Sequence, residues 1–173
     1  MPKKTIRVAH ISDTHLYSTP HKTLLGVNTQ ESFNAVSQLL KNDPIKPELI
    51  VVTGDLSQDG SRDSYQRLAD ELNSFGVPVY CVPGNHDDLN VMQQVYPQKQ
   101  VSLQKHIKIG PWQLILIDSQ KEGAVEGFLK TTELDFMSEC LDANPNHFAI
   151  IMQHHQPVSV NSQWIDKLGV INA

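Results

Sequence analysis

Residues 49–55 read Leu49-Ile50-Val51-Val52-Thr53-Gly54-Asp55. A short run that is apolar at consecutive positions and rich in Val and Ile is the pattern of a buried strand, not of a half-exposed one. Its end in Gly-Asp places a carboxylate just past the strand. Four further runs share the pattern: Ile6 to Ile11, Val77 to Val82, Leu114 to Ile117 and Phe148 to Met152. Between them lie helical periods. Asn28-Thr29-Gln30-Glu31 resembles a capping box, followed by Phe33, Val36, Leu39 and Leu40, with a stop at Asp43-Pro44. Tyr65, Leu68, Ala69, Leu72 and Phe75 form a second period that ends at Gly76. A third runs from Thr131-Thr132-Glu133 through Leu134, Phe136, Met137, Cys140 and Leu141 to Asn144-Pro145. Strands alternating with helices predict βαβ units and a mostly parallel sheet. Two extended runs around Gly110-Pro111 predict a hairpin, so an antiparallel element is mixed in.

At 173 residues the chain has the size of one domain with a single core. Its net charge of −5 and the lack of a basic stripe argue against a general nucleic-acid binder. No apolar run reaches the ~20 residues of a membrane span. The start, Met1-Pro2-Lys3-Lys4, runs directly into Ile6-Arg7-Val8 with no signal-peptide pattern. Cys81 and Cys140 form no CxxC, which fits a reducing cytoplasm better than a disulfide. Histidine is unusually abundant, 8 against 5 Phe; it is the commonest metal ligand and a ready acid or base.

The residues after each run carry the chemistry. Asp13-Thr14-His15 follows the first, Asp55 the second, Asn85-His86-Asp87 the third, and His154-His155 the last. Each alone reads as an ordinary turn or polar strand end. Together they place metal-type or acid–base side chains at four strand ends, and ligands of open α/β sheets bind outside the carboxyl ends of strands. Asp13 and His15 alternate and so share a side; Asp55 has two oxygens and can bridge two ions. Asn85 offers an amide oxygen and His155 an imidazole. Gly54 and Gly84 permit close backbone approach. The donors are oxygen and nitrogen without thiolate, suiting Mn, Fe, Co or Zn. Two divalent ions carry more positive charge than Asp13 and Asp55 neutralise, which favours an anionic phosphoester. His10, His21, His106 and His147 read as bland, Asp118-Ser119 as a turn or substrate-side loop, and Trp112, Trp164 and the tyrosines as packing residues.

Asp13-x-His15, Gly54-Asp55, Gly84-Asn85-His86-Asp87 and His154-His155-x-Pro157 resemble the signature of the calcineurin-like metallophosphoesterases. Leu24-Leu25-Gly26-Val27-Asn28-Thr29, Gly54-Asp55-Leu56-Ser57-Gln58-Asp59, Leu116-Ile117-Asp118-Ser119-Gln120 and Trp164-Ile165-Asp166 are similar to the CpdA-type bacterial class III cyclic AMP phosphodiesterases. The resemblance runs from about residue 6 to the last residue. It implies a four-layer α/β/β/α fold with mixed sheets and a dinuclear Fe/Mn-type centre, with Zn or Co as alternatives. It implies Asp13 and His15 on one ion, Asp55 bridging, and Asn85 and His155 on the other. His155 is preferred to His154 because the family's usual ligand is the His followed by x-Pro. His86 matches the residue that contacts phosphate or protonates the leaving group, so Asn85 and His86 are the substrate-binding pair. The family's Gly-His-x-His does not occur before Ala173, so residues 1–173 are expected to be the N-terminal portion of one such domain, with the C-terminal part of the second sheet missing.

The expected function is hydrolysis of 3',5'-cyclic AMP by attack of a metal-bound hydroxide, in the bacterial cytoplasm. The expected partner is a small cyclic nucleotide, without nucleic acid or membrane. The alternatives are another phosphoesterase of the same fold, acting on nucleoside polyphosphates, lipid-linked pyrophosphates or glycerophosphodiesters, and an inactive fragment or binding scaffold.

Overall fold

The structure is a computed structural model that describes residues 5–173; the basic start at Met1-Pro2-Lys3-Lys4 lies outside the described residues. In chain order the elements are β1 (Val8–Ile11), β2 (Thr23–Leu24), β3 (Val27–Asn28), α1 (Thr29–Asn42), β4 (Leu49–Thr53), α2 (Arg62–Asn73), β5 (Val79–Val82), α3 (Leu89–Val95), β6 (Val101–Ser102), β7 (His106–Ile109), β8 (Trp112–Leu116), α4 (Thr131–Ala143), β9 (Phe148–Met152) and a 3-10 turn, Ile165–Lys167. One sheet has the order β1-β4-β5-β6, and all its pairs are parallel. A second has the order β7-β8-β9, antiparallel then parallel. The mixed architecture and its hairpin at Gly110-Pro111 are as the sequence predicts. The hairpin β2-β3, the helix α3 and the two-residue β6 are too short to carry a hydrophobic period, so the sequence pattern does not show them.

Alternation along two strands explains the layers. Ile50 and Val52 of β4 pack with Phe33 of α1, Leu68 and Leu72 of α2, and Met92 of α3. Leu49 and Val51, on the opposite face, pack with Val82 of β5 and with Ile107, Leu114 and Leu116 of the second sheet. Ile115 and Ile117 then face Cys140, Phe136 and Met137 of α4. A strand with apolar side chains on both faces can only sit between two apolar layers. The result is α/β/β/α.

One expectation fails locally. In α1, Phe33 and Ser37 are buried, whereas Val36 and Leu39 are exposed. The core-facing stripe follows positions 33, 37 and 40, so Val36 and Leu39 fall outside it. Among the described residues β9 is the last strand of the β7-β8-β9 sheet, and Phe148, Ile150 and Ile151 are exposed. Among the described residues no helix is long and apolar enough to cross a membrane.

The N-cap half of the capping box at the start of α1 is formed, and the reciprocal bond runs to the Asn28 side chain instead of its backbone. Asn28 Oδ1 accepts from Glu31 N at 3.2 Å, and Asn28 Nδ2 donates to Glu31 Oε1 at 3.0 Å. It fixes where α1 begins, and so where β2-β3 stands beside the end of β1.

Candidate metal centre

The ladder between β1 and β4 does not stop with the strands. Asp13 N donates to Gly54 O at 3.1 Å, His15 N to Asp55 O at 2.9 Å, and Leu16 N to Leu56 O at 3.1 Å. This pairing holds the two loops edge to edge. Asp13, His15 and Asp55 have φ of 57°, 43° and 50°, the left-handed region, which costs non-glycine residues about 1–3 kcal/mol each. Three strained residues carrying metal-type side chains mark a site whose geometry the fold imposes.

The side chains converge. His15 Nε2 lies 3.7 Å from Asp13 Oδ1 and 3.6 Å from Asp55 Oδ2, and His154 Nε2 lies 3.5 Å from Asp55 Oδ2. These gaps are too long for hydrogen bonds. They match the separation of two ligand atoms on one tetrahedral ion, about 3.4 Å for bonds of ~2.1 Å. Two groups of donors arise, His15 with Asp55 and His86, and Asp13 with Asp55 and His154, each gathered within 4.8 Å. Asp55 belongs to both. Asn85 lines the same cavity, of about 510 Å³. His15 Nδ1 is buried without a partner.

The electrostatics agree with a cation site. Burial raises the Asp13 carboxyl, but the hydrogen-bonding groups of His15 and Ser12 outweigh it, so the group sits below its ordinary range. Burial alone would lower His15, yet Asp13 and Asp55 hold its imidazole above the ordinary value. An anionic cluster that pulls a proton onto a histidine would as readily take a metal ion. The donor set therefore fits divalent ions.

The histidine pair requires a correction. His154, not His155, reaches the carboxylates. His154 Nδ1 donates to Thr53 O at 3.0 Å, which leaves the lone pair of Nε2 facing Asp55. Ligand histidines characteristically give their other N–H to a carbonyl in this way. His155 is 3 % exposed, and both its ring nitrogens are taken: Nδ1 accepts from Ser119 Oγ at 2.8 Å, and Nε2 donates to Val125 O at 3.2 Å. Burial holds its imidazole below the usual range, so it is neutral and internally satisfied. The x-Pro pattern does not report which ring turns toward the carboxylates, since the groups that fix the two rings, Thr53 O and Ser119 Oγ, are distant in sequence.

His86 faces the cavity. Its backbone N donates to Asp55 Oδ1 at 2.9 Å, and its Nδ1 accepts from Gln58 Nε2 at 3.0 Å. Its ring stands edge-on to His15 at 5.2 Å.

Residues 6–170 match the family model described as calcineurin-like phosphoesterase. The chain belongs to this family. The phosphoesterase is 39 % identical over 171 residues to a 3',5'-cyclic-nucleotide phosphodiesterase of Nostoc sp., covering 99 % of this chain and 64 % of that relative. It is 36 % identical to the 3',5'-cyclic adenosine monophosphate phosphodiesterase CpdA of Haemophilus influenzae, over 99 % of this chain and 63 % of the relative. With CpdA of Escherichia coli K12 the figures are 37 %, 97 % and 62 %. The chain thus spans a little under two thirds of the length of these curated relatives. Among solved structures, TT1561 of Thermus thermophilus shares the fold, with a TM-score of 0.60 at 15 % identity, over 91 % of this chain and 71 % of that one.

Several residues that build the phosphoesterase site had no assigned role in the sequence. Asp87, 6 % exposed, accepts from Leu56 N (3.1 Å), Ser57 N (2.9 Å), Gly84 N (2.9 Å) and Tyr65 Oη (3.0 Å). It staples the loop after β4 to the loop after β5. Burial pushes its carboxyl above the usual range, and the backbone N–H groups pull it back. Gln120 Nε2 donates to Gly84 O (2.9 Å) and Asp87 O (2.6 Å), strapping the Asn85-His86 loop from the second sheet. The one available signal was the acid ending Asn85-His86-Asp87, too polar a residue to be buried unless paired. Trp164, read as a packing residue, is 73 % exposed and lines the cavity.

Proposed function

We propose that this chain carries the catalytic centre of a metal-dependent phosphodiesterase whose substrate is 3',5'-cyclic AMP. The observation that carries the reading is the meeting of Asp13, His15, Asp55 and His154 at 3.5–3.7 Å spacings, with His86 joining His15 and Asp55 within 4.8 Å and Asp55 common to both donor groups. The names of the relatives supply the substrate. Asp13, His15, Asp55, Asn85 and His154 would hold two divalent ions, with Fe or Mn first and Zn or Co next. When bound, such ions supply Lewis acidity at phosphorus and lower the pKa of water toward 7.

The chain's own residues do the rest. Asn85 and His86 orient the phosphate. Gln58 donates to His86 Nδ1, so the ring's N–H is at Nε2. Nε2 gives its proton to the ribose 3'-oxygen as the P–O3' bond breaks, the attacking water forms the new P–O bond and its released proton restores the N–H at Nε2, and 5'-AMP leaves. The two thiols, Cys81 and Cys140, are free and buried, in keeping with a reducing cytoplasm.

The test is an assay of the chain loaded with Mn(II), following 5'-AMP release from cyclic AMP beside a nucleoside polyphosphate, a lipid-linked pyrophosphate and a glycerophosphodiester. Fastest turnover on one of the last three would replace the substrate. A chain that binds Mn(II) yet hydrolyses none would overturn the enzyme reading.

A further inference from the structure

The cavity over the donor groups has two characters. Its floor is polar: Asp13, His15, Asp55, His86 and His154. Its rim is apolar, with Leu24 and Leu25 from the β2-β3 hairpin and Trp164, Ile165 and Leu168 from the turn that follows β9. Two of these side chains are placed where folding alone would not put them. Leu25 and Gly26 form the two-residue hairpin loop, with φ of +51° and +85°, the type I′ pattern that favours Asn-Gly. A leucine there is unfavourable twice, in its left-handed backbone and in water, where it is 98 % exposed. Trp164 is likewise open to solvent on a turn that is firmly tied. Asp166 accepts from Ser159 Oγ at 2.6 Å and Val160 N at 2.8 Å, and Gln156 Nε2 donates to Ile165 O at 2.6 Å. An exposed indole on a tied turn and a costly exposed leucine on a separate segment flank one polar floor.

We infer that Leu25 and Trp164 form an apolar clamp that holds the purine of the substrate while its phosphate rests on the polar floor. This rests on the cyclic-nucleotide reading above and adds the residues that hold the base. A purine is flat and apolar on both faces. It stacks on an indole, and such stacking is tolerant of the base because every base has a π-face. Leu25 offers no hydrogen bond and Trp164 only its indole N–H, so the clamp reads faces rather than edges. The volume of about 510 Å³ lies in the range of small-molecule sites.

The chain has two tryptophans, so Trp112→Phe leaves Trp164 as the sole indole fluorophore. With Mn(II) present, 5'-AMP is expected to quench its emission to saturation, and ribose 5-phosphate is expected not to. Leu25→Asn suits the type I′ loop better and should leave Tm unchanged or higher, yet raise the 5'-AMP concentration for half-quenching about five-fold or more. Equal quenching by the two ligands, no quenching by 5'-AMP, or an unmoved titration in Leu25→Asn would each overturn the clamp. The titration reads binding without turnover, so the two readings fail separately. A chain that hydrolyses cyclic AMP without nucleotide-specific quenching keeps its function and loses the clamp. A chain that quenches with 5'-AMP but hydrolyses no phosphodiester keeps the clamp and loses the function.

Discussion

His154 Nε2 lies 3.5 Å from Asp55 Oδ2 across a gap that no proton bridges, while the Nδ1 of His154 is tied to Thr53 O at 3.0 Å. The tie decides the chemistry. It fixes the tautomer, so the free lone pair points at the carboxylate that both donor groups share. Gly54 allows the approach: a Cβ there would stand 2.6 Å from the His154 ring.

His154→Ala is therefore expected to weaken Mn(II) binding about ten-fold or more, since removal of groups around a metal commonly costs 10–100-fold, with little loss of thermal stability in the metal-free chain. His155→Ala should do the reverse. It leaves Ser119 Oγ buried beside a cavity, at a cost of about 1–3 kcal/mol, and keeps the donors in place. Metal titration and urea denaturation of both variants separate the roles. Loss of metal in His155→Ala alone would restore the x-Pro assignment.

Asp87→Asn tests the staple between the loops. Oδ2 accepts from Leu56 N and Gly84 N, and Oδ1 from Ser57 N and Tyr65 Oη. Whichever oxygen becomes an amide nitrogen, two donors then face another donor. The expected loss is about 1–3 kcal/mol in urea unfolding, with a fall in metal affinity because Asp55 and Asn85 sit on the loops it joins. A variant as stable as the parent would show that the carboxylate is dispensable.

The layers and the strand ends were legible because β4 carries apolar residues on both faces and because Asp13, His15, Asp55 and His86 follow strands directly. What was not legible depends on direction. Nothing local tells His154 from His155, since the choice is made by Thr53 O and Ser119 Oγ, distant in sequence. The strap from Gln120 and the exposure of Trp164 are likewise set by segments that meet only in the folded chain.

Asp59 gives a pH signature away from the donors. Burial would raise its carboxyl, but hydrogen bonds from Ser18 and Ser61 outweigh it and bring it from 3.8 to about 2. A folded-state pKa below the unfolded one means that the unfolded chain binds the proton first. The stabilisation is thus fully present above pH 3.8 and is lost as pH falls toward 2. Asp59→Asn should be less stable than the parent near neutrality, and the gap in urea midpoint should shrink on acidification through that window. A gap independent of pH would mean that the carboxylate's charge plays no part.

His86 is the residue for which two roles compete. Its ring joins His15 and Asp55 in one donor group, which suits a ligand, whereas the donation from Gln58 Nε2 to Nδ1 at 3.0 Å leaves an N–H on Nε2, which suits an acid. The leaving group distinguishes them. A ribose alkoxide needs a proton as it departs and a nitrophenolate needs it far less, and a general acid contributes about 10²–10⁴-fold where it is needed. His86→Ala is expected to keep its Mn(II) and to lose far more kcat on cyclic AMP than on a nitrophenyl phosphodiester. Gln58→Ala, which frees the tautomer, should show the same bias to a smaller degree. Asp55→Ala should lose metal and both activities together, because both donor groups share that carboxylate. Loss of metal in His86→Ala would make the residue a ligand. Equal loss on the two substrates with metal retained would leave it as a phosphate-binding group, with the proton to the ribose oxygen coming from elsewhere.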